Sequence, residues 1–382
     1  MSWPMVKLGD VCIINPRLPK NANPEQEVTF LAMAAVSEKG EISSQETRIL
    51  HETKKGFTYF ERGDVLLAKI TPCFENGKAT LTNNLNTQIG FGSTEFHVLR
   101  AIPDLILPEF IFYLVWNERF RIAAAKEMTG SAGQKRVSAD YLKEYQFYLP
   151  SIFEQEKIVA ALNKGYSIHR KRQQAIKLAD DFLRATFLEM FPQLDDCGNR
   201  VKLGDIVTLD APMVDPREDK FIDLIHIGPD RIEKNTGLIL PALTAREENL
   251  ISKKFLFDES YVLYSKIRPY LKKCAIPDFG GLCSADMYPV KPISGKANRE
   301  FIWQLLLSDF FTTYTETLPD RANIPKLNRK ELLNFELSLP PIILQEKYKK
   351  IVQKTNRTKL IMHAQDGKSI LKKLTDELFS TN

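Results

Sequence analysis

The chain has 382 residues, of which 43% are hydrophobic and 26% charged, and its formal net charge is +5. These values are those of an ordinary globular protein of two or three domains, and the mild positive charge is compatible with a nucleic-acid partner without indicating one. No stretch approaches the roughly 18 apolar residues of a membrane span, and the amino terminus lacks the apolar core of a signal peptide, so we expect a cytoplasmic protein that contacts no membrane.

An internal repeat of domain size runs through the sequence. Four segments return in the same order: VKLGDVC (6–12) as VKLGDIV (201–207), VLLAKITP (65–72) as VLYSKIRP (262–269), PEFIFYL (108–114) as REFIWQL (299–305), and FYLPSIFEQEKIV (147–159) as LSLPPIILQEKYK (337–349). The offset between the copies drifts only from 195 to 190 residues, which indicates a tandem duplication. Two similar halves offer two similar surfaces, so we expect a bipartite ligand.

Each half predicts the same order of elements. A short amphipathic KLGD stretch comes first, and a polar region that differs between the copies follows it. The remaining predicted elements are two strands and one helix in each half, at 63–70, 95–101 and 108–126 in the first and at 260–267, 287–293 and 298–317 in the second. Each half is therefore predicted to be a mixed α/β globule.

A long amphipathic helix is predicted to close each half. In the first half Ser151 and Glu154 form a capping box, and the helical pattern continues to about Met190. The second helix is predicted from Pro341 to Phe379, where Leu344 replaces the capping glutamate. Because a lone helix of this length needs a partner, we expect the two to form an antiparallel coiled coil. The alternative is two unrelated helices, each lying on its own globule.

Several strings resemble the specificity (S) subunit of type I restriction–modification systems. They are GDVLLAKITPCFENGKATL (63–81), GFGSTEFHVLR (90–100) and TGSAGQKRVSADYLKEYQFYLPSIFEQEKIVAAL (129–162). The resemblance implies a mixed α/β fold of two tandem target recognition domains, separated by an antiparallel coiled coil of two long helices with pseudo-two-fold symmetry. The expected domains are 1–150 (first recognition domain), 151–195 (first long helix and linker), 196–340 (second recognition domain) and 341–382 (second long helix).

The same resemblance implies a non-catalytic subunit that binds double-stranded DNA. Each globule would read one half of an asymmetric bipartite site, while the helix pair would set the spacer and dock two modification subunits. Restriction subunits would complete the assembly. S-adenosylmethionine, ATP and Mg²⁺ would belong to these partner subunits, and no cofactor would be bound by this chain.

Two other classes of protein are weighed against this interpretation: a free-standing enzyme, either a nuclease or a methyltransferase, and a scaffold. A free-standing nuclease would need clustered carboxylates for a cation, and Asp64, Glu75 and Lys78 only superficially resemble such a set. A methyltransferase would need an Asn/Asp-Pro-Pro-aromatic loop, but Pro340–Pro341 precedes isoleucines. A scaffold that binds only proteins is the other alternative.

Five cysteines without a CxxC pair predict reduced thiols, and five dispersed histidines predict no metal site.

Polar side chains in predicted loops are the candidates for DNA contact. They are Lys69, Lys78, Gln134, Lys135 and Arg136 in the first half, and Lys266, Arg268, Lys272, Lys273, Arg321 and Asn323 in the second. Lysines are expected at phosphates, the arginines at guanine edges, and the two amides at adenine. Any single surface lysine is as readily explained by solvation. Lys69 and Lys266 stand out because both copies keep a lysine beside a strand end.

Overall fold

Two units of similar size make up the chain: Met1–Lys171 with Asp366–Asn382 (unit 1), and Arg172–Gln365 (unit 2). The computed structural model describes residues 3–131, 133–196, 200–319, 325–364 and 368–379. Each unit holds one of the repeated halves and part of a long helix. Along the described parts of the chain, no helix is both long enough and apolar enough to cross a bilayer.

Unit 1 is built from short strands and mostly short helices. Its strands are β1 (Met5–Lys7), β2 (Cys12–Ile14), β3 (Glu27–Leu31), β4 (Glu46–Ile49), β5 (Thr58–Glu61), β6 (Val65–Ala68), β7 (Ala79–Leu81), β8 (Ile89–Gly92), β9 (Phe96–Ala101) and β10 (Gln146–Tyr148). Its helices are α1 (Leu8–Val11), α2 (Leu50–Thr53), α3 (Pro108–Trp116), α4 (Glu118–Lys126), α5 (Ala139–Glu144) and the start of α6 (Ile152–Met190).

Unit 2 repeats most of this order after the end of α6, but its described residues form no helix in the place of α2. Its strands are β11 (Arg200–Lys202), β12 (Val207–Thr208), β13 (Met213–Val214), β14 (His226–Ile227), β15 (Lys254–Phe257), β16 (Val262–Ser265), β17 (Cys274–Ala275), β18 (Gly281–Cys283), β19 (Met287–Pro292) and β20 (Glu336–Ser338). Its helices are α7 (Leu203–Ile206), α8 (Arg299–Leu307), α9 (Asp309–Glu316), α10 (Arg329–Asn334) and α11 (Ile342–Ala364). The last helix, α12 (Lys368–Leu378), belongs to unit 1.

The described residues of each unit form two four-stranded sheets and one two-stranded ribbon. In unit 1 the sheet orders are β2-β9-β6-β7 and β4-β3-β8-β5, and β1 pairs with β10. In unit 2 they are β12-β19-β16-β17 and β13-β15-β18-β14, and β11 pairs with β20. The four strands predicted from the repeat are β6, β9, β16 and β19. They form the antiparallel central pairs of the sheets β2-β9-β6-β7 and β12-β19-β16-β17. Those strand predictions are confirmed.

The repeated glycine of the KLGD stretch lies where two backbone segments touch. A Cβ on Gly9 would stand 3.1 Å from the carbonyl oxygen of Lys143, and one on Gly204 would stand 3.2 Å from that of Leu333. The aspartates of the motif cap their own turns, since Asp10 accepts from the Lys7 amide in unit 1. The motif therefore joins the first helical turn to α5 or α10 by close packing.

The single helix predicted after the second strand is wrong in both halves, because each consists of two. Asn117 has an extended backbone, and its side chain accepts from the amides of Arg119 and Phe120, which starts α4 afresh after α3. Ser308 does the same for α9 by accepting from Phe311. A side chain that caps a helix end is favoured over helix continuation at these polar positions.

A buried glutamine fixes the start of the long helix in unit 1. The carboxamide of Gln155 accepts from the Leu107 amide at 2.9 Å and donates to the carbonyls of Leu105 (3.1 Å) and Pro150 (2.9 Å). The predicted capping box is confirmed beside it, since the Ser151 amide donates to Glu154 at 3.0 Å and the Glu154 amide donates to the Ser151 hydroxyl at 3.4 Å.

The second long helix begins in the same way without the capping box. Gln345 accepts from the Asn298 amide at 3.1 Å and donates to the carbonyls of Lys296 (3.2 Å) and Pro340 (2.9 Å). Both glutamines are fully buried. The repeated Q of EQEK and LQEK is thus a structural residue that ties the helix to the loop before α3 or α8.

Side chains of α6 meet those of α11 inside unit 2. The Tyr348 hydroxyl donates to the Leu183 carbonyl at 3.2 Å, and Lys359 forms a buried ion pair with Asp180. Later residues of α11 contact earlier residues of α6, as in antiparallel helices. In unit 1, Leu371 of α12 lies directly over Gly165 of α6.

The helix predicted over 341–379 is observed as α11 and α12. Residues 365–367 between them lie outside the described part of the chain. Among the cysteines, Cys12, Cys73, Cys274 and Cys283 are free thiols, while Cys197 is outside the described residues. Burial raises the pKa of the Cys12 thiol to about 12.

Candidate nucleic-acid interface

In unit 1 the strand-end lysine lies in a small ladder between two loops. The Val137 amide donates to the Lys69 carbonyl at 2.9 Å, and the Thr71 amide donates to the Lys135 carbonyl at 3.0 Å. We call this pairing of residues 69–71 with 135–137 the loop ladder of unit 1. It brings four predicted contact residues together, namely Lys69, Gln134, Lys135 and Arg136.

The same ladder occurs in unit 2. The Leu327 amide donates to the Lys266 carbonyl at 2.8 Å, and the Arg268 amide donates to the Pro325 carbonyl at 2.8 Å. Residues 266–268 with 325–327 are therefore the loop ladder of unit 2. The predicted candidates Arg321 and Asn323 precede it but lie outside the described residues.

An acidic residue neutralises part of the charge in each ladder. In unit 1 the guanidinium of Arg136 makes two hydrogen bonds of 2.9 Å to Glu95. These bonds are the main reason that the pKa of Glu95 is lowered, and the charge of Lys69 lowers it further. Arg136 thus has its planar donor face occupied by a carboxylate in this structure.

The acid of unit 2 is Asp286, which faces two lysines. Its carboxylate lies 3.7 Å from Nζ of Lys266 and 3.9 Å from Nζ of Lys326. Lys266 also donates to the Ala285 carbonyl at 2.5 Å. Lys326 occupies the place of Arg136 in the ladder and was missed in the sequence. An alignment of the two loops that matches Val137 with Leu327 would also match Arg136 with Lys326, and so would have found it.

Two of the predicted contact residues bind backbone instead. Nζ of Lys78 donates to the Met33 carbonyl at 3.2 Å, and Nζ of Lys273 donates to the Pro229 carbonyl at 2.6 Å. Each acceptor is the first residue of a short 3₁₀ helix, Met33–Ala35 or Pro229–Arg231. These lysines therefore secure equivalent loops in the two units.

The remaining candidates differ in how far they are already engaged. Lys272 is largely buried and pairs with Asp309 of α9. Gln134, Lys135 and Arg268 are exposed, and the side chains of Lys135 and Arg268 have no hydrogen bond or ion pair with any residue that the structure describes. As DNA contacts, all of these positions stay predictions.

The residues considered for a nuclease do not converge. Asp64 is buried and makes two hydrogen bonds of 2.8 Å to Arg100, and its carboxylate also accepts from the Glu61 amide at 2.7 Å. Lys78 points to the Met33 carbonyl instead. Across the described ranges, no group of three or more His, Cys, Asp or Glu side chains is arranged to hold a metal ion. Asp64 is a structural residue at the start of β6.

Comparison with known proteins gives a consistent family. Residues 2–178 match the model of the type I restriction modification DNA specificity domain. The chain is 37% identical over 163 residues to the type I restriction enzyme EcoEI specificity subunit of Escherichia coli, covering 42% of this chain and 27% of that protein. It is 35% identical over 173 residues to the EcoAI specificity subunit of the same species, covering 45% and 29%. The matched segments span less than a third of these relatives.

Solved structures share the fold over nearly the whole chain. The S subunit of a type I system from M. genitalium superposes with a TM-score of 0.61 at 13% identity, covering 100% of this chain and 96% of that one. A chain from work on the assembly and conformational transition of the type I R-M system gives 0.52 at 20% identity, covering 99% and 96%. The predicted mixed α/β fold with tandem domains and long helices is confirmed.

Proposed function

Because residues 2–178 match the type I restriction modification DNA specificity domain, we propose that the chain is the specificity subunit of such a system and recognises DNA sequence for the complex. One observation carries the proposal: the same loop ladder, with a lysine at a strand end and a cation before its last residue, occurs once in each unit. Each unit would read one half of a bipartite site. The chain itself would be non-catalytic.

Different side chains at equivalent places in the ladders favour two different half-sites. Thr71 of unit 1 corresponds to Arg268 of unit 2, and Lys135 corresponds to Pro325, because their backbones make the same hydrogen bond. DNA sequence is read by side chains that reach base edges, whereas contacts to the phosphate backbone of the DNA only set the register. An asymmetric recognition sequence is the expected consequence.

Domain exchange tests this proposal. Residues 1–150 are replaced by the corresponding domain of another specificity subunit, and methylated adenines are mapped by single-molecule sequencing in cells that carry the modification subunits. We expect one half of the methylated sequence to change while the other half and the spacer stay the same. A change in both halves, or in neither, would contradict the proposal.

The two long helices would set the spacer and dock two modification subunits. Phe153 and Ile343 are the second residues of α6 and α11, and their exposed fractions are 64% and 72%. The equivalent buried glutamines, Gln155 and Gln345, fix both helix starts in the same way. Large apolar side chains left exposed at one place in both copies favour a partner that binds twice.

Native mass spectrometry of the assembled complex tests the docking. The substitution Phe153→Asp or Ile343→Asp should each reduce the number of bound modification subunits from two to one, and the double variant should bind none. Ile251→Asp is the control, because Ile251 is equally exposed, at 79%, but lies in a loop. Retention of both partner subunits by the double variant would exclude these residues as docking contacts.

The chemistry of the complex would belong to the partner subunits. S-adenosylmethionine would be bound by the modification subunits, and ATP with Mg²⁺ by restriction subunits. Assays of the purified chain with methylated and unmethylated DNA should then give no methyl transfer and no cleavage, and methyl transfer should appear when modification subunits are added. Activity of the chain alone would instead support a free-standing enzyme.

A further inference from the structure

The cations of the two loop ladders fall into two groups by what their charged ends already contact. Arg136 is held by Glu95, and Lys266 and Lys326 both lie beside Asp286. Contacts of this kind are satisfied before any ligand arrives. In the described parts of the ladders, three cations have no hydrogen bond or ion pair of the side chain. Lys69 is partly buried near Glu95, whereas Lys135 and Arg268 are exposed.

These two cations lie on opposite sides of one repeated hydrogen bond. In unit 1 the bond runs from the Thr71 amide to the Lys135 carbonyl, so the cation is on the acceptor residue. In unit 2 it runs from the Arg268 amide to the Pro325 carbonyl, so the cation is on the donor residue. The backbone hydrogen bond is the same in both units, but the exposed cation stands on the acceptor loop in unit 1 and on the donor loop in unit 2.

Arg268 is also held in an uncommon backbone conformation. Its φ of 50° and ψ of 63° lie in the left-handed region, which residues with a Cβ seldom adopt. The hydrogen bond to Pro325 and the 3₁₀ helix Pro269–Leu271 that follows both fix it there. Strain of this kind persists only where the surrounding structure holds the residue in place, and an observed outlier is a reason to look for a function.

The geometry points to Arg268 as the specificity-determining residue of the half-site that unit 2 reads, with its guanidinium donating to O6 and N7 of a guanine. This assignment rests on the proposed function of the chain. An exposed arginine on a rigid turn presents a planar fork that matches these two acceptors, and a lysine cannot reproduce that fork. Lys135, a point charge on a flexible stem, would contact phosphate in the other half-site.

Two substitutions of Arg268 separate base reading from other roles. Arg268→Gly removes the side chain and relieves the left-handed backbone, so it should not unfold the unit. Arg268→Lys keeps the charge but loses the fork. Arg217→Ala is the control, because Arg217 is exposed in the same unit and already paired with Asp215. Each full-length variant is expressed with the modification subunits, and methylated adenines are mapped by single-molecule sequencing.

For both Arg268 variants we expect one base pair of the second half-site to lose its requirement for G·C, with discrimination falling roughly 5- to 150-fold. The first half-site and the Arg217→Ala pattern should match the wild type. If Arg268→Lys keeps the full requirement while Arg268→Gly loses it, the requirement depends on the positive charge and not on the planar fork, and the inference is wrong. Unchanged half-sites in both variants would also overturn it. A wild-type chain without bipartite methylation would instead refute the proposed function.

Discussion

The sheet β4-β3-β8-β5 of unit 1 and the sheet β13-β15-β18-β14 of unit 2 have three equivalent strands. The fourth strand is added at opposite edges. In unit 1 the central β8 lies between the parallel β3 and the antiparallel β5, and β4 is added beside β3. In unit 2 the central β18 lies between the parallel β14 and the antiparallel β15, and β13 is added beside β15. The added strands come from the polar regions that match poorly between the halves. The duplicated core therefore tolerates different edges.

The other four-stranded sheets, β2-β9-β6-β7 and β12-β19-β16-β17, carry different side chains at one equivalent pair of positions. In unit 1, Val65 of β6 pairs with Leu99 of β9. Asp64, just before Val65, and Arg100, just after Leu99, form an ion pair with two hydrogen bonds. In unit 2 the corresponding residues are Tyr261 and Lys291, whose Nζ lies 5.1 Å from the centre of the Tyr261 ring. The Tyr261 hydroxyl donates to Asp210 at 3.0 Å. A carboxylate–guanidinium contact in one copy is a cation–π contact in the other.

The helix α6 makes different contacts in the two units, and the largest effect of a substitution is expected at one of them. Unit 2 buries the Asp180–Lys359 ion pair, whereas unit 1 places Leu371 over Gly165. Lys359→Met should lower the free energy of unfolding of unit 2 by about 3–5 kcal/mol, because it leaves a buried carboxylate without a partner. Hydrogen exchange of peptides from α11, followed by mass spectrometry, measures this change without a signal from unit 1.

The pH dependence of this loss has a definite sign. Burial is the main cause that raises the pKa of Asp180, so the folded state holds that proton more tightly than the unfolded state does. Stability is therefore lost as the pH rises from the unfolded value through the folded pKa. The cost of Lys359→Met should be largest at neutral pH and shrink on acidification. In the matched control, Asp180→Leu with Lys359→Met, much of the stability should return and this pH dependence should disappear.

A smaller difference is expected at the pair of positions that differs between the sheets β2-β9-β6-β7 and β12-β19-β16-β17. Asp64→Asn should cost unit 1 about 2 kcal/mol, because it weakens both bonds to Arg100 and leaves that guanidinium with only Glu61, at 3.3 Å, as its acidic partner. Tyr261→Phe should cost unit 2 about 1 kcal/mol, since only the bond to Asp210 is lost and the ring remains under Lys291. Exchange rates of β6 and β16 peptides report the two values. Equal losses would show that the two contacts contribute alike.

These contacts mark the limit of what the sequence could predict. β6 and β9 are found from their own apolar residues, and α6 from its spacing and its Ser151–Glu154 cap, because these signals are local. The break at Asn117 was missed because a polar residue within an amphipathic run also suits the exposed face of one helix. The acceptor of Lys78 is the Met33 carbonyl, 45 residues away in the chain, so only the folded chain identifies it. The same holds for the pairing of Glu95 with Arg136.

The smallest predicted effect concerns the exposed cation of the unit 1 ladder. If Lys135 contacts a phosphate, Lys135→Ala should weaken DNA binding by the assembled complex to a similar degree for all sequences, and should reduce the slope of log K against log salt by about 1. Titrations at several salt concentrations, with cognate and scrambled duplexes, measure both quantities. Lys55→Ala removes another exposed lysine of unit 1 and should leave the slope unchanged. A loss confined to the cognate duplex would mean that Lys135 reads a base, so that both ladders, and not only that of unit 2, would carry sequence information at this hydrogen bond.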